Sequence, residues 1–302
     1  MNDKDEQYTS PSHEEHTGDT IRTETGGKAR KKTRVGVELV RELASEGDRV
    51  FSTDRARELC SRVDMKESYL LEALHYLSRT GWIVSLRRGL YAISSAVPGV
   101  SAAHEFEVAM HLVDPAAISH WSAMNYHGLT EQVPGQVFVL TTTEASVPRV
   151  RGRKTDRSDP GYPVGDAVYR FVQVKPEWFF GTRKIWVGQA RVTATDPERT
   201  LIDGLRMPRY CGDFSEVLHA FELRGADLNV ERIVDYALRL EKATAKRLGW
   251  VLEHLQIATQ GLEGLRQIPL KSYQRLDPSG PRRGPCDSRW MIQENLPGRM
   301  DG

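Results

Sequence analysis

The amino-acid sequence predicts a mixed α/β (α+β) protein built from two units, with disordered segments at both ends. Before residue 81, apolar residues recur every three or four positions, which is the pattern of amphipathic helices. Two short apolar runs separated by Arg-Arg-Gly follow, and they indicate a β-hairpin. From residue 98 to residue 268, helix and strand signals alternate over a stretch long enough to form a second core.

The composition excludes several classes of protein. Of the 302 residues, 39% are hydrophobic and 27% are charged, and 42 Lys and Arg face 41 Asp and Glu. No uncharged apolar run approaches the roughly 18 residues that a transmembrane helix needs, and the acidic N-terminus is unlike a secretory signal. We therefore expect a cytoplasmic protein without a membrane partner. Cys60, Cys211 and Cys286 are far apart and lack the short spacing of a zinc site, so we expect reduced thiols, no metal and no cofactor.

Both ends have the composition of disordered chain. Residues 1–32 hold one large aliphatic residue, Ile21, and are rich in Glu, Asp, Thr, Ser and Gly. The last part of this arm is basic: Lys28, Arg30, Lys31 and Lys32, with Arg34 just beyond. Such an arm is either a solubilising linker or a segment that contacts phosphates. Residues 269–302 are rich in Pro, Gly and Arg, and we predict a second disordered tail there.

Residues 33–97 show the element order of a winged helix-turn-helix. The first helix is predicted to end at Gly47, the second is capped by Ser52 or its neighbour, and the third covers residues 66–80. The hairpin over residues 82–93 is the predicted wing. Four leucines of the third helix are predicted to face the core: Leu70, Leu71, Leu74 and Leu77.

A DNA-binding role for this unit follows from the helix and the wing. Sequence-specific binding requires a helix that enters the major groove and cations that neutralise phosphates. The residues expected to contact DNA are Lys66, Ser68 and Tyr69 at base edges, Tyr76 further along that face, Arg62 and Arg79 beside the helix, and Arg87 and Arg88 in the wing. Ala73 is predicted to share the exposed face. Because one copy would bind DNA with modest affinity, we expect tight binding to require a dimer or paired half-sites. The alternative is a protein-docking module in which the wing arginines form a solvated turn.

The second unit, residues 98–268, shows no motif of a known catalytic site. It has no glycine-rich phosphate loop, no His-Glu-x-x-His and no nucleophile elbow, so we predict no catalytic residue. Its densest charge cluster comprises Asp196, Glu198, Arg199 and Asp203. In a structural interpretation Asp196 caps a helix and Arg199 pairs with Asp203 at i and i+4. In the functional alternative, the cluster supplies acid/base or metal-binding groups.

A basic run in the second unit offers another candidate surface. Its cations are Arg149, Arg151, Arg153 and Lys154. A solvated loop is the default interpretation. Because the cations alternate with small or apolar residues, the run also suits a strand edge that lies along nucleic acid.

Three segments beyond the winged helix carry a family resemblance. They are residues 118–129 (ISHWSAMNYHGL), 193–203 (TATDPERTLID) and 247–253 (RLGWVLE). Together with the winged helix, they resemble the AbiEi family of abortive-infection antitoxins over roughly residues 35–260. The long acidic N-terminal extension and the Pro/Arg-rich tail depart from the plainest family pattern.

The resemblance implies a two-domain antitoxin of a type IV toxin-antitoxin system. Its winged helix would bind inverted repeats in the promoter of its own operon and repress transcription. Its second unit, residues 98–268, would counteract a nucleotidyltransferase toxin without forming a stable complex with it. Two alternatives stay open: an enzyme that modifies the toxin or its RNA target, and a ligand-sensing transcription factor without a toxin partner.

Overall fold

The computed structural model describes residues 23–143 and 161–296, with side chains from residue 34 onward except that of Ala226. It confirms the predicted fold class, a mixed α/β protein. The first 22 residues and the last six, which belong to the predicted disordered ends, lie outside the described residues.

The N-terminal unit has the helix, strand, helix, helix, strand, strand order of a winged helix. Its elements are α1 (Thr23–Ser45), β1 (Val50–Ser52), α2 (Thr53–Leu59), α3 (Glu67–Arg79), β2 (Ile83–Arg87) and β3 (Leu90–Ile93). The strands form an antiparallel sheet in the order β1-β3-β2. Gly47, with a φ of +87°, follows the end of α1. The Ser52 hydroxyl accepts a hydrogen bond from the Arg55 N–H at 3.1 Å and so caps α2, as predicted.

The prediction of a disordered arm through residue 32 is wrong for its last ten residues. Helix α1 begins at Thr23, so residues 23–32 are helical. The last five residues of this stretch, Lys28 to Lys32, are all Lys, Ala or Arg, which are strong helix formers. Since adding a residue to an existing helix is much easier than nucleating one, the packed part of α1 can extend the helix into this segment.

The larger unit contains a six-stranded sheet that packs against one helix on one face and against several later helices on the other. Its elements are α4 (Glu105–Leu112), β4 (Ala117–Ile118), α5 (His120–Tyr126), β5 (Val137–Thr141), β6 (Tyr162–Val164), β7 (Ala167–Gln173), β8 (Thr182–Val187), β9 (Ala190–Thr195), α6 (Pro197–Arg206), α7 (Phe214–Arg224), α8 (Val230–Leu238), α9 (Lys242–His254) and α10 (Leu262–Gln267). The strand order is β6-β7-β5-β4-β9-β8. The pairs β5/β7 and β4/β9 are parallel, and the other neighbours are antiparallel.

The central strand β5 is buried on both faces of this sheet. Val137 and Val139 point into a core shared with α4, whereas Phe138 and Leu140 point into a core on the other face. This alternation follows from the two-residue period of a strand. The helices that follow the sheet pack around a third and larger core.

The two units share one core. Val50, Leu86 and Ala92 of the winged-helix sheet pack in the same cluster as Phe106 and Ala109 of α4. The opposite face of the winged-helix sheet contributes Phe51, Ile83 and Ile93 to the core beneath α1, α2 and α3. The winged helix is therefore held against the second unit through the back of its sheet, and α3 lies on the other side of that sheet.

The prediction of a disordered tail from residue 269 is wrong as far as residue 296. This segment forms a small sheet of β10 (Gln274–Arg275), β11 (Cys286–Asp287) and β12 (Ile292–Gln293). Trp290 is fully buried against α9, where Gly249 leaves no room for a Cβ. The Trp290 indole N–H donates a hydrogen bond of 2.6 Å to Glu253 Oε2. A few long-range anchors order a segment whose composition alone favours disorder.

Among the described residues, none of the helices is both long enough and apolar enough to cross a bilayer.

Candidate nucleic-acid interface

Helix α3 divides into a buried stripe and an exposed face. The buried side chains are Leu70, Ala73, Leu74 and Leu77. The exposed face carries Ser68, Leu71, Glu72, His75 and Arg79. The placement of Leu71 in the core is therefore wrong, because 64% of this residue is exposed. Ala73, predicted to be exposed, completes the buried stripe instead. The cause is helical geometry: residues 70, 73, 74 and 77 share one face, and Leu71 lies about 100° away from Leu70.

The predicted base-contacting residues differ in how far they reach solvent. Lys66 and Ser68 are exposed at the N-terminal end of α3. Lys66 is the residue before the first turn, and its side chain makes no capping hydrogen bond. Tyr69 is half-buried and packs against the core of the winged helix. Tyr76 is 36% exposed. Lys66 and Ser68 are thus the better placed of the predicted base contacts.

The wing presents its two arginines to solvent. Arg87 ends β2 and Arg88 lies in the turn to β3, and both side chains are exposed. Gly89 takes a φ of +75°, which closes this tight turn. The Gly89 carbonyl accepts a hydrogen bond of 2.9 Å from the Thr53 N–H at the start of α2. This bond fixes the wing tip relative to the helix-turn-helix.

The end of β2 next to the wing turn lies near the second unit. Burial lowers the pKa of His111 on α4, and the positive charge of Arg87 lowers it further. Arg87 is therefore close enough to α4 for its charge to affect the protonation of His111, although its side chain is exposed to solvent.

Ion pairing separates the arginines of the winged helix into two groups. Arg62 Nη1 donates to Glu42 Oε1 on α1 at 3.1 Å and to Glu46 Oε1, just after α1, at 2.6 Å. Arg55 and Arg57 are likewise paired with carboxylates. Arg62 was expected to contact DNA; both of its ion pairs use Nη1, so its charge is already partnered by two carboxylates.

At the ends of α3 and in the wing, four cations have no carboxylate partner among the described residues. They are Lys66, Arg79, Arg87 and Arg88. We call this set the open cations. Lys66 and Arg79 lie at the two ends of α3, and Arg87 and Arg88 lie in the wing. An unpaired surface cation can neutralise a phosphate without first breaking an internal ion pair.

Sequence reasoning missed three residues of the exposed face. Leu71, Glu72 and His75 lie between Ser68 and Arg79 on the same side of α3. An apolar side chain can contact a thymine methyl group, and a carboxylate can accept a hydrogen bond from cytosine. A helical-wheel projection that placed residues 70, 73, 74 and 77 inward would have found them.

The second predicted nucleic-acid surface lies outside the described residues. Arg149, Arg151, Arg153 and Lys154 all fall between residues 144 and 160, which the structure does not describe.

The charge cluster of α6 matches its structural interpretation. Asp196 Oδ1 accepts the Arg199 N–H at 2.7 Å and caps the helix, and Tyr236 donates to Asp196 Oδ2 at 2.8 Å. The Arg199 guanidinium binds both oxygens of Asp203, at 2.9 and 3.0 Å, and both side chains are completely buried. Burial raises the pKa of Asp196, and the hydrogen bonds from the Arg199 N–H and the Tyr236 hydroxyl oppose the rise. In the part of the chain that the structure describes, no group of three or more His, Cys, Asp or Glu side chains could hold a metal ion.

Comparison with known proteins supports the fold alone. No family model matches the chain. No curated protein matches it significantly. Among solved structures, the Rv2827c protein of Mycobacterium tuberculosis is similar to 86% of this chain over 90% of its own length, with a TM-score of 0.62 and 14% sequence identity. At this identity the likeness extends to the arrangement of elements and carries no function.

Proposed function

We propose that this protein is a DNA-binding transcriptional regulator that represses its own promoter. The open cations carry this proposal, because two of them lie at the ends of a solvent-exposed helix and two lie in the wing that follows it, and a groove-binding helix requires cations beside it for the phosphates. In the proposed complex, α3 enters the groove and presents Ser68, Leu71 and Glu72 to the bases. The wing arginines contact the sugar-phosphate backbone beside it.

The packing of the two units favours this arrangement. Because the winged helix meets the second unit through the back of its sheet, α3 is accessible without any movement between the units. An alternative protein-docking role would use the same exposed face. The open cations favour DNA, since a protein partner would have to supply carboxylates at four separate positions.

The salt dependence of DNA binding tests this proposal. Replacing both wing arginines, Arg87→Ala with Arg88→Ala, should weaken binding to the DNA immediately upstream of the gene. It should also reduce the slope of log K against log salt by up to about 1.8, because each neutralised phosphate contributes about 0.9. Fluorescence anisotropy over a range of salt concentrations measures both quantities.

Adjacent arginines elsewhere provide the matched control. Arg282 and Arg283 are also exposed neighbours in a loop, far along the chain from the winged helix. Replacing both with Ala removes the same charge and should leave the slope unchanged. Equal slopes for the wing variant and the unmodified protein would refute the wing contact, and equal losses in both double variants would indicate only a general charge effect.

The antitoxin role is a further part of the proposal, and the motif resemblance supports it. We propose that the regulator counteracts a nucleotidyltransferase toxin encoded beside it, without a stable complex and without a cofactor, and that it acts in the cytoplasm. The neighbouring gene discriminates between the alternatives, because the lack of an adjacent nucleotidyltransferase gene would favour a ligand-sensing regulator.

A further inference from the structure

A cavity of about 480 Å³ with a mixed polar and apolar lining lies where the winged helix meets the second unit. Its walls come from three parts of the chain: the C-terminal end of α1, the connection between the two units, and the turn between β8 and β9. The polar lining residues are Arg41, Ser45, Arg49, Ser101 and Gln189. The cavity therefore combines two guanidinium groups with two hydroxyls and an amide.

Arg49 is a buried cation whose positive charge is not neutralised by an ion pair with a carboxylate in the described part of the chain. Only 8% of it is exposed, and its guanidinium donates a hydrogen bond to the side-chain oxygen of Gln189. Glu107 is an acidic group that interacts electrostatically with Arg49. Burial raises the pKa of the Glu107 carboxyl, and the Arg49 charge opposes this rise. No ion pair joins the two, and Glu107 Oε2 is itself buried without a hydrogen-bond partner. A buried guanidinium without a direct carboxylate partner favours an anion beside it.

Arg41 adds a second positive charge to the same cavity. It is exposed and has no carboxylate partner in the described part of the chain. The nearby carboxylates of Glu42, Glu46 and Asp48 are engaged by Arg55 and Arg62. The ion-pair network of α1 thus leaves Arg41 out.

We propose that this cavity binds a phosphorylated small molecule. Two guanidinium groups and two hydroxyls supply many donors in one place, which suits a phosphate with three acceptor oxygens better than a single carboxylate. The volume exceeds what a phosphate group alone requires, and Ala44, Pro98 and Val100 add apolar surface for an organic body. The ligand belongs to the class of small phosphate monoesters.

Such a ligand would connect the two units. Arg41 and Ser45 belong to α1, whereas Gln189 belongs to the second unit. A bound phosphate monoester would tie the winged helix to the β8–β9 turn and so affect how α3 and the wing are held. This regulatory consequence rests on the proposed DNA binding, but the binding site itself does not.

Calorimetric titration without DNA tests the site. Inorganic phosphate and adenosine 5′-monophosphate serve as probes at constant ionic strength, and succinate represents carboxylates. We expect saturable binding of at least one phosphate probe, with a Kd of about 1 mM or tighter. Arg41→Gln should weaken it at least about tenfold, as expected for the loss of a charge-assisted hydrogen bond.

Two control variants make the result specific. Arg34→Gln removes an exposed cation from the same helix outside the cavity, and the double variant Arg87→Ala with Arg88→Ala removes the wing charges. Both should bind the phosphate probes as the unmodified protein does. The proposal is overturned by the absence of saturable binding up to about 10 mM, by tighter binding of succinate, or by equal losses in Arg41→Gln and Arg34→Gln. DNA binding by the wing would survive each of these results.

Discussion

His120 shows how one residue is held in a demanding position in the second unit. It is completely buried at the start of α5, with a φ of +48°. Its Nδ1 lies 2.8 Å from the Ser119 hydroxyl, whereas its Nε2 has no partner among the described residues. Burial lowers the pKa of His120 to about 4; the Asp203 charge opposes the shift, and the charges of Arg199 and Arg206 add to it.

This buried imidazole predicts loss of stability in mild acid. The unfolded chain protonates His120 below about pH 6.5, but the folded protein keeps it neutral down to about pH 4. As the pH falls through this window, the unfolded state binds more protons, so the group removes up to about 1.4 kcal/mol of stability per pH unit. His120→Asn, whose side chain tolerates positive φ, should lack this contribution. Urea unfolding between pH 7 and pH 4 measures it.

The exposed His219 supplies the control for this measurement. Its side chain is 61% exposed beside Glu222, so His219→Asn should keep the acid sensitivity of the unmodified protein. Parallel stability curves for His120→Asn and the unmodified protein would show that His120 does not titrate as the buried geometry requires.

Residue types predicted some side-chain roles and not others. The cap at Asp196 and the pair of Arg199 with Asp203 follow from local spacing, and both are present. The ion pairs of Arg62 are not local, since they join residues 16 and 20 positions apart. A sequence pattern that covers one helix could not reveal that the end of α1 and the residue after it supply those carboxylates.

At the scale of elements, periodicity located the strands and helices whose partners are nearby. Helix α3 differs from its predicted range, residues 66–80, by one residue at each end. The sequence pattern does not reveal β6, which is three residues long and pairs antiparallel with β7. Short strands of this kind depend on a neighbour and carry little periodicity of their own.

The C-terminal segment is the clearest case in which tertiary contacts outweigh composition. Trp290 anchors it in the core beside α9, together with Leu276 and Ile292. Lys246 and Arg266 lie close to the Trp290 ring. Large apolar residues are sparse in this segment, but Leu276, Trp290 and Ile292 all pack into the core that includes α9.

Removing this anchor should destabilise the protein strongly. Trp290→Ala leaves a cavity and an unpaired Glu253 oxygen, and we expect a loss of about 3–5 kcal/mol in the free energy of unfolding. Chemical denaturation followed by circular dichroism measures the loss. Tyr273→Ala, at a residue that is 44% exposed, should change stability little. Similar stabilities for both variants would mean that the segment does not dock on α9.

At the scale of the whole molecule, the shared core decides which surfaces are available. The sequence predicts two successive units with a boundary near residue 97, and nothing in a local pattern specifies which faces meet. The structure buries the back of the winged-helix sheet against α4. That contact leaves the outer face of α3 and the wing arginines exposed to solvent. The cavity around Arg49 lies at the same junction of the two units.

The central claim is that the exposed face of α3 enters a DNA groove, and site-specific photo-crosslinking tests it most directly. Leu71→Cys places a thiol at the middle of that face. Cys286 is replaced by Ser because it is the exposed native thiol, whereas Cys60 and Cys211 are buried. Tyr273→Cys in the same background carries the probe on the C-terminal segment. We predict that a photoreactive label at position 71 crosslinks to specific bases of the promoter DNA, and that the label at position 273 does not. Absence of crosslinks from position 71 on DNA that the labelled protein still binds would contradict the claim.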